Sequence, residues 1–536
     1  MIDGGSTFPV EPWQLRETHL DLDTLAQTES LFALSNGHIG LRGNLDEGEP
    51  HSLPGTYLNS VYELRELPYA EAGYGYPESG QTVINVTNGK LIRLLVDDEP
   101  FDVRYGDVNA HERRLDLRAG TLEREVDWTT PSGRRVRVRS VRLVSLTQRA
   151  IAAIRFTVAP LDGRPVRVVV QSELVANEQL PATTGDPRVA ATLDQPLQAE
   201  HQAAHELSSV LVHSTKRSDV RVAAAMDHEV GGAADFSTHN EVYADLARMS
   251  VTCTLQPDER LDVVKYLAYG WSSQRSVPAV RDQVAAAITG ARHAGWDGLL
   301  AEQREYLDGF WDAADVEVEG DAELKQAVRF ALFHVMQAGA RAERRPIPAK
   351  GLTGNGYDGH CFWDTETFVL PVLTYTVPQA VADALRWRCS ILDLAQERAA
   401  LLGLRGATFP WRTIRGQECS AYWPAGTAAF HINADIADAV LRYVAATDDA
   451  DFEATDGLRL LVETARLWRS LGHHDVAGNF RIDGVTGPDE YSAIADNNVF
   501  TNLMAFRRIG RAAQVALRHQ VGRRCCRRSP STHQVR

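Results

Sequence analysis

Lysine is nearly missing from this chain of 536 residues: Lys90, Lys216, Lys265, Lys325 and Lys350 are the whole set. The formal net charge is -15 and no basic stripe occurs, which excludes ordinary nucleic-acid binding. Cysteine is also scarce. Cys253, Cys361, Cys389, Cys419, Cys525 and Cys526 form no C-x-x-C pair, so neither a zinc site nor a disulfide scaffold is indicated. A reducing cytoplasm is the expected location. No window approaches the roughly 20 apolar residues of a membrane helix, and the N-terminus lacks a basic segment followed by an apolar run. H-E-x-x-H, G-x-S-x-G and Walker patterns are absent, which leaves carboxylate chemistry.

What is present is an ordinary globular balance, 44% hydrophobic and 24% charged, with length enough for two to four domains. The first half reads as β. "RRVRVRSVRLVS" (134–145) alternates with period two, "RPVRVVVQSEL" (164–174) less strictly, and "KLIRLLVDDEPFDV" and "AIAAIRFTVAP" behave alike. Many strands without intervening helices predict a β-sandwich over 1–270. Two stretches rich in Gly and Asn, "ESLFALSNGHIGLRGN" (29–44) and "LPGTYLNSVYE" (53–63), read as shaped loops rather than ladder strands. A helical linker is expected over 271–320, then a helical region over 321–520. Leu324, Val328, Leu332 and Val335 fall on one helix face. Val381, Leu385 and Leu392 form a second, Ile436, Val440 and Val444 a third, and Leu458, Leu461, Ala465 and Trp468 a fourth. The segment 521–536 breaks the pattern with adjacent cysteines and arginines, and no structure is expected there.

Three long loops between these helices carry the candidate chemistry. In "KGLTGNGYDGHCFWDTE" (350–366) a literal G-x-G-x-x-G appears, but two prolines stand where a nucleotide-binding strand belongs. The stronger signal is Trp363-Asp364. An indole suits the C–H face of a pyranose and the adjacent carboxylate its hydroxyl rim; the plain alternative is that Asp364 caps the following helix. In "ATFPWRTIRGQECSAYWPAGTAAFHIN" (407–433), Trp411, Tyr422 and Trp423 stand among Arg412, Arg415 and Glu418, as in a second sugar subsite. In "GVTGPDEY" (484–491), Asp489 is the turn-forming acid and Glu490 projects beside Tyr491. A general acid must hold its proton at neutral pH, which burial or a neighbouring negative charge achieves, and an adjacent acid and an aromatic-lined pocket would give Glu490 both. "GHHD" (472–475) reads as a solvated turn rather than a metal site.

Together these stretches resemble glycoside hydrolase family 65, which contains maltose, trehalose and kojibiose phosphorylases, from about residue 8 to about residue 518. The resemblance implies an N-terminal antiparallel β-sandwich, a helical linker, an (α/α)6 barrel and a small C-terminal β domain. It implies Glu490 as proton donor and Trp363 and Asp364 as glucose ligands, with Trp411, Arg412 and Glu418 towards the leaving sugar and Asp489 beside the acid. It implies inverting phosphorolysis of an α-glucosyl disaccharide to β-glucose 1-phosphate and a free sugar. No organic cofactor or metal enters, and inorganic phosphate is the co-substrate. The expected partners are a disaccharide and phosphate, without nucleic acid or membrane, and a homodimer is one open assembly. Hydrolysis by water, or sugar binding by an inactive fragment, are the alternatives. The family's later Lys-Gln pair has no counterpart here: Lys325-Gln326 lies at the wrong place. With six or seven helices where a closed ring needs twelve, the barrel is expected to be incomplete and the polypeptide truncated at its C-terminal end.

Overall fold

The computed structural model of the protein describes residues 8–67, 74–77, 79–179, 193–420, 423–489 and 494–526, and side chains for all of these except 423, 424 and 521–526. Two compact units emerge. The first comprises 1–63, 82–342 and 350–359, and the second 64–81, 343–349 and 360–536.

The first unit is built on two antiparallel sheets. The larger has nine strands in the spatial order Gln14–Glu17, Asp107–Asp116, Thr121–Thr129, Arg135–Val144, Ile151–Pro160, Leu261–Ser272, Arg221–Gly231, Ser208–Thr215 and Leu197–His205. The smaller has five: Phe236–Val242, Leu246–Leu255, Val166–Val175, Ile92–Val96 and Glu99–Pro100. Period two explains the facing. Along Arg135–Val144 the arginines 135, 137 and 139 point to solvent, while Val136 and Val138 are buried. Polar side chains bridge the sheets. Lys265 is wholly buried and its Nζ donates to the carbonyls of Leu91 (3.1 Å) and Glu173 (2.8 Å) on the side of the smaller sheet. Burial pushes its ammonium down to about 7.

The Gly- and Asn-rich stretches hold more order than loops. Leu34–Ser35, Ile39–Leu41 and Thr56–Leu58 form a small buried three-stranded sheet. The glycines there permit close approach: a Cβ on Gly40 would stand 2.2 Å from both Cβ and O of Leu352. Among the described residues, the α-helices of this unit are α1 (Leu25–Leu31), α2 (Val277–Ala314) and α3 (Ala322–Gly339). Helix α2 is packed rather than free. Its Val280, Val284, Ile288, Ala291, Trp296 and Leu299 bury against Leu143, Ile151, Ala153 and Tyr266 of the larger sheet. Helix α3 departs from the expected stripe. Leu324 is exposed and Val328, Leu332 and Val335 are not fully buried; the buried face is Arg329, Phe333, Met336 and Gln337. Specific bonds make that face possible. Arg329 pairs with Asp315 through two 2.7 Å bonds and lies 3.6 Å over Trp13, and Gln337 accepts from Ser35 N. Lys325-Gln326 serves the same helix, with Gln326 donating to Gln14 O.

The second unit is helical: α4 (Leu370–Thr376), α5 (Pro378–Ser390), α6 (Leu392–Leu401), α7 (Trp423–Thr427), α8 (Ile432–Thr447), α9 (Ala450–Phe452), α10 (Leu458–Leu471) and α11 (Val499–Cys526). The predicted stripes hold at Val381, Leu385, Leu392, Ile436, Val440, Leu461 and Trp468, all buried. One core joins Leu402, Phe430, Ala434, Leu467, Trp468, Ile482, Val485 and Ala505. Helix α11 continues through Cys526, six residues into the segment expected to lack structure, because nothing in "VGRRCC" ends a helix outright. Residues 527–536 lie outside the described residues.

Candidate active site

The site grows from loop segments of the second unit that have little regular structure of their own. Cys361 and Thr413 pair through their backbones in both directions (2.9 and 3.2 Å), which ties the stretch carrying Trp363 to the stretch carrying Trp411. Trp363 and Asp364 precede a π-helical turn, Thr365–Val369, that runs into α4. Glu366 in that turn holds it to α5: both carboxylate oxygens accept from Arg388, at 2.7 and 3.0 Å, and both residues are buried. Burial works against the Arg388 charge, but Glu366 overcomes it and holds the guanidinium protonated.

The second loop is pinned by Gln81, whose Oε1 accepts from the backbones of Ile414 and Arg415, both at 2.9 Å. Glu418 shapes it from within. Its Oε2 accepts from Trp411 N (2.7 Å) and its Oε1 from Cys419 N (3.0 Å) and Ser420 N (2.8 Å). Burial raises its carboxyl above the ordinary range, and the Trp411 N–H opposes that rise. Both oxygens of Glu418 thus serve the loop that carries Trp411. Arg412 is half-buried and closes the same turn through Cys419.

Asp364 does not cap the following turn: its side chain makes no capping bond. It is accessible, yet partial desolvation raises its carboxyl, and the nearby His431 counters the rise. His431 is the residue that sequence reasoning missed. It is fully buried just before α8, and Nδ1 donates to the Asp435 carboxylate at 2.9 Å. Its ring stands perpendicular to Trp363 (4.9 Å between centroids, 87°), to Trp411 (5.3 Å, 88°) and to Phe500 at the start of α11 (6.1 Å, 84°). Trp363 and Trp411 lie 6.4 Å apart. Residues of the first two sequence-derived loops therefore meet on one imidazole, which the second loop itself supplies. The available signal was a histidine four residues before an acid in "FHINAD", one helical turn apart.

The third loop is closed at its base. Val485 and Ala495 pair in both directions (3.0 and 2.8 Å), Asn497 N donates to Ile482 O (2.9 Å), and Thr486 N donates to Ala428 O (3.0 Å), three residues before His431. Asp489 is exposed. Glu490 and Tyr491 lie outside the described residues, as do Tyr422 and the side chain of Trp423. His473 and His474 belong to an exposed two-residue hairpin with Phe480 and Arg481. The "GNGYDG" stretch lies in the first unit as a tight turn with Asp358 accepting from Thr82. Among the described residues no group of three or more His, Cys, Asp or Glu is placed to hold a metal. A separate cavity of about 1080 Å³ between α8 and α11, lined by Asp438, Arg442, Phe506 and Arg508, includes none of the sequence-derived site residues.

The N-terminal domain of glycosyl hydrolase family 65 matches residues 15–310, and that family's central catalytic domain matches residues 329–531. The protein belongs to glycosyl hydrolase family 65. This family 65 protein is 66% identical over 512 residues to an uncharacterized glycosyl hydrolase of Mycobacterium tuberculosis, covering 96% of its own length and 65% of the relative's. It is 39% identical over 507 residues to an alpha,alpha-trehalose phosphorylase of Thermoanaerobacter brockii, covering 93% and 65%. It is 31% identical over 528 residues to a kojibiose phosphorylase of Escherichia coli, covering 94% and 66%. A solved structure of a candidate kojibiose phosphorylase from human microbiome superposes with a TM-score of 0.87 at 24% identity, over 95% of this protein and 66% of that one, and so shares the fold. The sequence thus spans about two thirds of the length of these relatives. Among the described residues no helix is long and apolar enough to cross a membrane.

Proposed function

We propose that the protein is an inverting α-glucoside phosphorylase, acting on a disaccharide of the trehalose, kojibiose or maltose type. The observation that carries this is the meeting of Trp363 and Trp411 on His431, with Asp364 beside them. The half-buried Trp363 offers an apolar face to a sugar ring, with the buried Trp411 packed behind it, and the partly desolvated carboxylate of the neighbouring Asp364 offers an acceptor to the ring's hydroxyls. Similarity to the trehalose and kojibiose phosphorylases favours phosphate over water as the nucleophile.

In this mechanism glucose lies against Trp363 with Asp364 accepting from its hydroxyls. Glu490, in the third loop, gives its proton to the glycosidic oxygen, and Asp489 beside it in sequence helps keep that proton in place until needed. Phosphate attacks the anomeric carbon from the opposite face, the C–O bond breaks, and β-glucose 1-phosphate leaves with a free sugar. An inverting hydrolase requires a second carboxylate to activate water; phosphate is already an anion and requires none. Trp411 and Arg412 border the leaving sugar. Residues 321–520 form part of the catalytic barrel in this account, preceded by the sandwich (1–270) and its helical segment (271–320). The test is formation of glucose 1-phosphate from each disaccharide with and without inorganic phosphate. Release of glucose at the same rate in both would assign hydrolysis instead.

A further inference from the structure

We propose that His431, set by Asp435, is the positioning residue that fixes the plane of the half-buried Trp363, and of the buried Trp411 packed behind it, for a sugar ring. The inference rests on the phosphorylase proposal for its ligand, but its geometric part stands on the indoles alone. Neither tryptophan sits in an α-helix or a strand: Trp363 precedes a π-helical turn, and Trp411 lies in an irregular loop. Their backbones alone leave the rings free to turn. The imidazole is a ring that both indoles meet edge to face, perpendicular to each within a few degrees. That arrangement is a favoured one for aromatic pairs.

The imidazole is itself held. The bond from Nδ1 to Asp435, one turn along α8, fixes the ring's rotation, and Phe500 supports a further side. Packing alone does not account for the choice of residues. His431 and Asp435 are 0% and 5% exposed, and Nε2 is buried with no hydrogen-bond partner among the described residues. A phenylalanine and a leucine would fill this space without desolvating an imidazole and a carboxylate. What the polar pair adds is a single ring orientation. Because the imidazole is buried against aromatic rings, His431 acts through the indoles rather than by touching the sugar.

The test uses the full protein and three variants: Asp435→Asn, His431→Phe, which keeps a ring but loses the bond, and His431→Asn, which keeps a donor near the Nδ1 position but loses the ring. Glucose binding is measured by calorimetry, with near-ultraviolet circular dichroism and melting recorded without sugar. Two edge-to-face contacts correspond to about a tenfold loss of glucose affinity. That loss is expected in His431→Asn, which removes both ring contacts, a smaller but measurable one in Asp435→Asn and His431→Phe, which keep a ring without its fixed orientation, and altered tryptophan dichroism in all three with cooperative melting retained. Wild-type affinity in both His431→Phe and Asp435→Asn overturns the inference. If the unaltered protein binds no glucose, the sugar assignment fails separately. The dichroism then decides: unchanged tryptophan bands in Asp435→Asn and His431→Phe refute the clamp.

Discussion

Replacing Arg388 by methionine tests how the glucose side of the site is held. Arg388 and Glu366 are 0% and 2% exposed and share two hydrogen bonds, so neither charge has solvent to fall back on. In Arg388→Met the Glu366 carboxylate stays buried without its cation. Breaking one side of such a pair costs about 3–5 kcal/mol. That is a large share of the ~5–15 kcal/mol that keeps a domain folded. The loss of the contact from Arg388 to Cys361 Sγ, at 3.5 Å, adds little. Adding Glu366→Met removes the stranded charge, and the double variant should recover most of the loss, to within about 2 kcal/mol of the parent. Urea unfolding followed by tryptophan emission reads these values, with the slope compared between variants. Because Glu366 lies three residues beyond Trp363, the single variant should also weaken glucose binding. A single-variant loss below about 1 kcal/mol, or a double variant no better than the single, would refute the claim that this pair anchors the turn.

Other predictions follow from the same kind of local accounting. Burial holds Lys90 and Lys265 down to about 7 against an ordinary 10.5, so above pH 7 the unfolded state keeps protons that the folded state has lost. Stability of the first unit should therefore rise from pH 7 towards pH 10, by about 1.4 kcal/mol per pH unit for each lysine, and Lys265→Met should halve that slope in melts taken across the window. Above pH 10 the buried Tyr57 and Tyr269, whose hydroxyls burial pushes upward, act in the opposite direction. Gly40→Ala forces a methyl against Leu352 and should cost about 1–3 kcal/mol, seen as a lower melting temperature. Glu418→Gln turns an amide towards one of the N–H groups that the carboxylate now accepts from; a loss of about 1–3 kcal/mol is expected. Altered near-ultraviolet dichroism from Trp411 should accompany it, and an unchanged spectrum would show that Glu418 does not shape the loop.

Much of the fold was legible because it follows simple periods. Arg135–Val144 alternates as a one-face-buried strand must, and 277–314 was legible as helix, though its packing against the larger sheet was not. The face of α3 was not legible. Arg329 and Gln337 are buried through partners on other elements, Asp315, Trp13 and Ser35, which no periodic pattern can display. The short strands at 34–41 were hidden for a related reason: glycine there serves close packing against Leu352 and not a turn alone. At the site, the loops were marked by aromatic residues and acids in unusual density, Glu418 among them. That its oxygens bind backbone N–H groups depends on how the loop folds back. His431 carried no periodic signal; only its spacing from Asp435 hinted at a pair.

The central claim is that Glu490 protonates the bond joining two sugars while phosphate displaces it with inversion. Proton NMR of the purified protein with trehalose, kojibiose or maltose and inorganic phosphate reads the anomeric signal of the product directly. The account predicts β-glucose 1-phosphate from one of these sugars, formed only with phosphate, and none from Glu490→Gln. The α-anomer, glucose without phosphate incorporation, or near-normal turnover by Glu490→Gln would contradict it.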